Sequence, residues 1–267
     1  MKKLTLSALA LILTLTLTLA TTVAFAENAL YDAVMERGSL IIGTEGMWSP
    51  WTYHDLDTNE LVGFDVEVGK AICEKLGIEA EFSEAPWDDI LAALDSGRVD
   101  TMINGVEVTE QRAEKYDFST PYCYVRTALV VRADNEDIKT FEDLEGRTTA
   151  NSIGSTYMTL AESYGAIADG VDTLDETMEM VLSGRAEATL NAVDSVGDYL
   201  RVHPDANIKI VALTEEASPV AIPMRKGETA LVDAVNQAIA ELREDGTLSE
   251  LSIKYFGNDI TMESQGE

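Results

Sequence analysis

Residues 92–104 read AALDSGRVDTMIN, and residues 179–191 read EMVLSGRAEATLN. Ser-Gly-Arg recurs at 96–98 and 183–185, an acid follows at Asp100 and Glu187, and Asn104 and Asn191 close the runs at a constant offset of 87. Each run reads as the end of a helix, a Gly turn and a strand. Helices that stop at Gly and feed strands are common, so coincidence is one reading of the match. The other is two lobes of like design. In open α/β sheets ligands bind beyond the carboxyl ends of strands. On the second reading Asn104 and Asn191 mark corresponding edges of a cleft.

The same alternation extends outward. Leu40–Gly43 reads as a strand, and Asp65–Leu76 as a helix closed by Gly77. Ile78–Phe82 reads as a strand, Trp87–Leu94 as a helix stopped at Gly97, and Val99–Ile103 as a strand. Near the end, Thr229–Arg243 places Leu231, Val235, Ile239 and Leu242 on one helical face, and Thr247–Tyr255 follows as a short helix. Strands alternating with helices predict an α/β fold with parallel sheets.

Composition narrows the function. The chain has 267 residues, 46% apolar and 25% charged, which suits one large domain or two of ordinary size. Against 19 Lys and Arg stand 48 Asp and Glu, a formal charge of −29. Such an excess of acid argues against binding nucleic-acid phosphates or anionic lipid. Lys2 and Lys3, the apolar run Leu4–Leu19 and the small residues of Ala24-Phe25-Ala26 form a secretory signal, with cleavage expected after Ala26. Its removal takes the formal charge to −31. No later stretch is apolar over the roughly 18 residues that a membrane span needs. The product is expected to be exported and soluble, periplasmic or extracellular.

Export permits a disulfide between Cys73 and Cys123, but nothing in the sequence fixes their separation, and two free thiols are the default. Two Cys without clustered His make no zinc site. His54 and His203 are the only histidines, and neither belongs to a nucleophile motif; His54 reads as a solvated loop residue. No phosphate loop or dinucleotide fingerprint occurs, and Asp55–Glu60 lacks the Gly and terminal Glu of a calcium loop. No catalytic residue, metal or cofactor is expected. The stretch Asn104–Arg112 is different. Gly105 lets backbone amides approach an anion, Thr109 can cap a short helix, and Arg112 can reach back to a carboxylate. Taken alone, Arg112 reads equally as a surface ion pair.

Motifs in order along 40–257 now add to this. They are Leu61-Val-Gly-Phe-Asp-Val-Glu67, Trp87-Asp-Asp-Ile-Leu-Ala-Ala-Leu94, Thr109-Glu-Gln-Arg112, Tyr116-Asp-Phe-Ser-Thr-Pro-Tyr122 and Asp245-Gly-Thr-Leu…Lys254-Tyr-Phe-Gly257. The chain thereby resembles the extracytoplasmic amino-acid-binding proteins of polar amino-acid ABC transporters, solute-binding family 3, with the cystine-binding branch nearest in motif. The resemblance implies a type II periplasmic-binding-protein-like α/β fold of two Rossmann-like lobes. Lobe 1 would comprise 27–124 and 219–267, and lobe 2 would comprise 125–218. Crossovers would lie near Cys123–Val130 and Ser218–Ile222. The lobes would close on a free amino acid by a hinge motion and present it, as a monomer, to a transporter permease.

The resemblance also implies roles. Arg112, with backbone groups at Gly105, would take the ligand carboxylate, and Trp48 would form a lid. Trp51 and Trp87 would be pocket walls, with core packing as the alternative for each. Glu45 and Asn104 would lie in the cleft. Ser155 and Thr156, at a helix N-terminus, would hold the carboxylate from lobe 2, flanked by Ser152 and Tyr157. The family's lobe-2 acid for the α-ammonium is replaced here by Ala192. Asn191 or Asp194 could substitute, or Glu107 could compensate; otherwise Glu107 is a solvated acid at a helix entry. The acids favour a polar or cationic ligand, whereas the motif likeness favours cystine. Two other functions remain open: a dehydratase of prephenate-like substrates using Glu45 or Glu107 as general acid, and a sensory domain, against which the chain ends soon after Gly257.

Overall fold

The computed structural model describes residues 29–263, and the secretory segment lies outside the described residues. The first sheet begins after α1 (Ala29–Arg37) with β1 (Ser39–Thr44). A small antiparallel flap follows, made of β2 (Met47–Trp48), β3 (Thr52–His54) and β4 (Leu61–Val62). Then come α2 (Phe64–Leu76), β5 (Glu79–Glu84), α3 (Trp87–Asp95) and β6 (Thr101–Met102). Strand β1 lies between β5 and β6, parallel to both, with Ile42 opposite Phe82 on one side and Thr101 on the other.

The chain leaves this sheet through α4 (Glu110–Lys115), β7 (Tyr116–Phe118) and β8 (Cys123–Val125). The second sheet holds β9 (Thr127–Arg132), β10 (Thr148–Ser152), β11 (Ile167–Val171), β12 (Ala188–Ala192) and β13 (Ile208–Leu213). Its helices are α5 (Thr156–Ser163), α6 (Leu174–Ser183) and α7 (Val193–Val202). Return is through β14 (Ser218–Val220), paired antiparallel with β8, and β15 (Pro223–Arg225), paired with β7. Helices α8 (Thr229–Glu244) and α9 (Thr247–Phe256) then pack on α2. The four-residue stripe expected on α8 is buried, and each such side chain contributes about 1.5–3 kcal/mol.

One expectation needs correction. The first sheet is parallel, but the second, in order β11-β10-β12-β9-β13, is mixed, because β9 runs antiparallel to both β12 and β13. Strand β9 enters straight from β8 with no crossover helix, so its direction is set by the linker and not by a βαβ unit. His54 is also not a loop residue. It lies on β3, with Nε2 at 2.7 Å from a Glu84 carboxylate oxygen.

The repeat is structural. Helix α3 ends at Gly97 and α6 at Gly184, with φ of 73° and 74°, a left-handed turn that suits Gly. The next amide donates back into each helix, Arg98 to the Ala93 carbonyl at 2.8 Å and Arg185 to the Met180 carbonyl at 2.9 Å. The acids correspond as well. Asp100 accepts the Ile41 amide at 2.8 Å and pairs with Arg37. Glu187 accepts the Thr148 amide at 3.1 Å and pairs with Arg147. In each lobe one carboxylate ties the incoming strand to its neighbour.

Both cysteines are buried and free, and burial pushes the Cys73 thiol up to about 12. A further acid, fully buried, positions the cleft. Asp65 accepts the Gly105 amide at 2.5 Å and the Tyr122 hydroxyl at 2.8 Å. Desolvation nevertheless raises its pKa from 3.8 to about 7. Below about pH 4 the carboxyl is neutral whether the chain is folded or not. Between about pH 4 and 7 the unfolded chain releases a proton that the folded chain keeps, so Asp65 lowers stability as pH rises. Asp65→Asn, with the Tyr122 hydroxyl reoriented, removes this slope. The stability of the variant relative to wild type should therefore rise between pH 4.5 and 7.5 by up to about 3 kcal/mol in denaturant unfolding. An unchanged difference would show that Asp65 is already ionised in the fold.

Candidate functional site

The carboxyl ends of both sheets face one cavity between the lobes. On the first lobe, Glu45 and Met47 follow β1, Trp48 ends β2, Trp87 starts α3, and Gly105 and Glu107 follow β6. On the second, Ser152 ends β10, and Ser155, Thr156 and Tyr157 start α5. Asp172, Thr173 and Leu174 connect β11 to α6, and Asn191 lies near the end of β12. A wider channel adjoins the cavity, shares Glu107, Ser155 and Thr156 with it, and contains Arg112.

The lobes are closed on one another. The Thr156 hydroxyl donates to Glu107 at 2.7 Å, the Trp48 indole N–H to the Asn191 amide oxygen at 3.2 Å, and the Ser49 hydroxyl to Asp198 at 2.7 Å. Glu107 is only 6% exposed, and its backbone bridges to Val220 beside the return crossover. The position of Glu107 is thus fixed by a crossover on one side and the other lobe on the opposite side.

Arg112 has no ion pair among the described residues. Thr109 caps its helix, accepting the Arg112 amide at 3.1 Å, and the guanidinium donates to the Glu107 carbonyl at 3.0 Å. The same guanidinium lies 5.0 Å over the Trp87 ring. Burial pulls its pKa down, an effect that the nearby charge of Glu107 opposes. The surface ion pair considered for Arg112 from sequence is absent. Its fork is held in the channel beside the cavity, near the charge of Glu107 but in no ion pair among the described residues.

Glu45 has the opposite charge and a similar lack of a partner. The Asn104 side chain donates to one Glu45 oxygen at 2.6 Å, and its own amide oxygen accepts the Glu45 amide at 2.8 Å. These bonds favour the carboxylate, but desolvation outweighs them and raises Glu45 to about 7.

Four of the residues expected in the site do not line the cavity. Trp51 is fully buried beneath Trp48, with ring centroids 5.1 Å apart and planes 7° from parallel. It packs on Phe64 and Phe256, so it supports the Trp48 ring and forms no wall. Asn104 is fully buried and acts through Glu45. Arg112 lies in the adjoining channel. Asp194, half-buried in the first turn of α7, is off the cavity, and burial raises its pKa. Sequence reasoning passed over Met47, Asp172, Thr173 and Leu174. A signal for the last three exists: Thr173 and Glu176 form a capping box that fixes the start of α6.

Comparison with known proteins agrees with this geometry. Residues 40–258 match the bacterial extracellular solute-binding proteins, family 3. The L-cystine-binding protein TcyA of Bacillus subtilis is 40% identical over 235 residues, covering 88% of this chain and 87% of that protein. An ancestral arginine-binding protein bound to glutamine superposes with a TM-score of 0.78 at 36% identity, covering 83% of this chain and 99% of that one. The L-cystine solute receptor of Neisseria gonorrhoeae, in its unliganded open conformation, gives 0.59 at 38% identity, with 88% and 99% covered. Identity does not order these two structures; the higher score goes to the ligand-bound one, in keeping with the hydrogen bonds between lobes. The chain belongs to the family 3 extracellular solute-binding proteins.

Proposed function

We propose that this chain captures a free amino acid between its two lobes and delivers it, as a monomer, to an ABC-transporter permease. The observation that carries this reading is a cavity between the lobes with groups of both signs beside it, Glu45 on its wall and Arg112 in the adjoining channel, neither in an ion pair among the described residues, as a zwitterion requires. Arg112 and the Ser155–Thr156 helix start take the α-carboxylate. Glu107, on the wall nearest Arg112, takes the α-ammonium in place of the acid missing at Ala192. Trp48 forms the lid. Sheet membership supports lobes of 27–124 with 219–267 and of 125–218, hinged where β8 pairs with β14. The sequence of 1–26 supports export with cleavage after Ala26, to the periplasm or the cell exterior. No helix among the described residues is long and apolar enough to cross a membrane.

A dehydratase is the second reading, and one observation favours it: Glu45, at about 7, could deliver a proton within a closed cavity. Two assays on the purified protein separate the readings. Trp48 and Trp87 line the cavity, so their fluorescence should change saturably with at least one member of an amino-acid panel, and prephenate and arogenate should persist. Silence across the panel counts against binding, and turnover of either acid would make the protein an enzyme.

A further inference from the structure

We infer that Ser49 and Asp198 form a latch that holds the lobes closed without touching the bound amino acid, setting the affinity for every ligand and the selectivity for none; this rests on the amino-acid-binding reading above. Three side-chain hydrogen bonds join the lobes among the described residues. Trp48 with Asn191, and Glu107 with Thr156, all line the cavity, so those two bonds depend on what occupies it. Ser49 and Asp198 do not line it. They meet across a neighbouring groove, bordered by Ser49 and Tyr53 of the flap on one side and by Asp198 and Tyr199 of α7 on the other. This groove joins the cavity at Met47, Thr173 and Leu174, so the latch crosses the cleft beside the ligand's enclosure.

Each half of the latch is set within its own lobe. Ser49 follows Trp48 in the flap, and the residues after it are pinned to the start of α2. The Phe64 amide donates to the Pro50 carbonyl and the Asp65 amide to the Trp51 carbonyl, both at 3.0 Å. On α7, Arg201 lies one turn beyond Asp198 and donates to its Oδ1, from Nε at 3.0 Å and from Nη2 at 2.6 Å. Oδ2 is left to accept the Ser49 hydroxyl at 2.7 Å. The Asp198 side chain is 11% exposed and that of Arg201 72%. The carboxylate is therefore oriented from the solvent side and presented to the flap. Two groups fixed in advance lose little freedom when they meet, and a hydroxyl on a shielded carboxylate makes a charge-assisted bond. Because its partners belong to different lobes, the bond is made only on closure. It shifts the balance of open and closed states by the same factor whichever ligand is present.

Titration calorimetry of wild type and Ser49→Ala against the common amino acids and cystine tests the inference. Each amino acid that binds the wild type should bind Ser49→Ala about tenfold more weakly, by a factor that agrees between ligands within about twofold. Ser49→Thr keeps the hydroxyl and should bind within about threefold of wild type. In stopped-flow Trp fluorescence the loss should appear in the dissociation rate, with association nearly unchanged, because the latch forms after the ligand has entered. The melting temperature of ligand-free Ser49→Ala should match that of wild type, since the open state lacks the bond. On an Asp198→Ala background, Ser49→Ala should cost nothing further. Wild-type affinity in Ser49→Ala, or a further loss on the Asp198→Ala background, would overturn the latch while leaving the transport reading intact. So would a penalty that differs widely between ligands, since Ser49 would then be a contact with the ligand. If no member of the panel binds the wild type, the amino-acid reading itself falls, and the latch with it.

Discussion

Arg112→Met lowers affinity for the amino acid by about 100- to 1,000-fold and leaves the fold intact. The reason lies in the imbalance of charge around the cleft. Arg112 is the sole basic residue on the cavity or its adjoining channel, so no second cation can take over an α-carboxylate. Truncating one partner of a buried, hydrogen-bonded charge pair costs about 2–5 kcal/mol, which sets the range. Stability should barely change, because Arg112 has no ion pair to lose and methionine can still pack against Trp87. Arg112→Lys should recover only part of the loss, since an ammonium cannot make the two parallel bonds of a guanidinium fork. Calorimetry with circular dichroism as the folding control would decide. If Arg112→Met bound within about threefold of wild type, the carboxylate would have to be held by the Ser155–Thr156 helix start alone.

Gly105→Ala should damage both stability and closure. Gly105 has φ 58°, where a side chain is strained. A Cβ there would also come within 2.5 Å of Trp48 Cζ3 and 2.6 Å of Trp48 Cη2. The ring has little room to yield, because it is stacked on the fully buried Trp51 and its N–H is bonded to Asn191 in the other lobe. Moving the backbone instead would break the Gly105 amide bond to Asp65. Strain and overpacking together should cost about 2–4 kcal/mol, lowering Tm by several degrees. Loss of the Trp48–Asn191 contact should weaken ligand binding by more than about tenfold. Differential scanning calorimetry and ligand titration measure the two effects. Wild-type values in both would mean that Trp48 is free to move and does not act as a fixed lid.

The parts of this fold that were legible in the sequence are those that depend on local backbone chemistry. Gly77, Gly97, Gly184 and Gly246 all have positive φ, and each stands at a helix boundary anticipated from sequence. The stripe of α8 follows from a 3.6-residue period, and the repeat of α3–β6 in α6–β12 follows from like turns and like acids. What stayed hidden depends on depth and layering, which periodicity does not encode. Trp48 ends a strand of only two residues and Trp51 lies in the turn that follows it, and nothing in the sequence distinguishes Trp48 on the cavity from Trp51 in the layer beneath. Asn104 follows a strand of only two residues, too short to reveal that it faces Glu45 and not the ligand. The antiparallel entry of β9 turns on the geometry of a linker. Asp172 and Thr173 reach the cavity only because β11 and β12 flank β10, a pairing between segments far apart in the chain.

Small-angle X-ray scattering of the purified protein, alone and saturated with its best-binding amino acid, tests closure around a ligand most directly. The liganded sample should reproduce the profile of the closed structure described above, with Glu107 against Thr156 and Trp48 against Asn191. The free protein should have the larger radius of gyration. A profile that saturating ligand leaves unchanged would contradict capture by closure of the lobes.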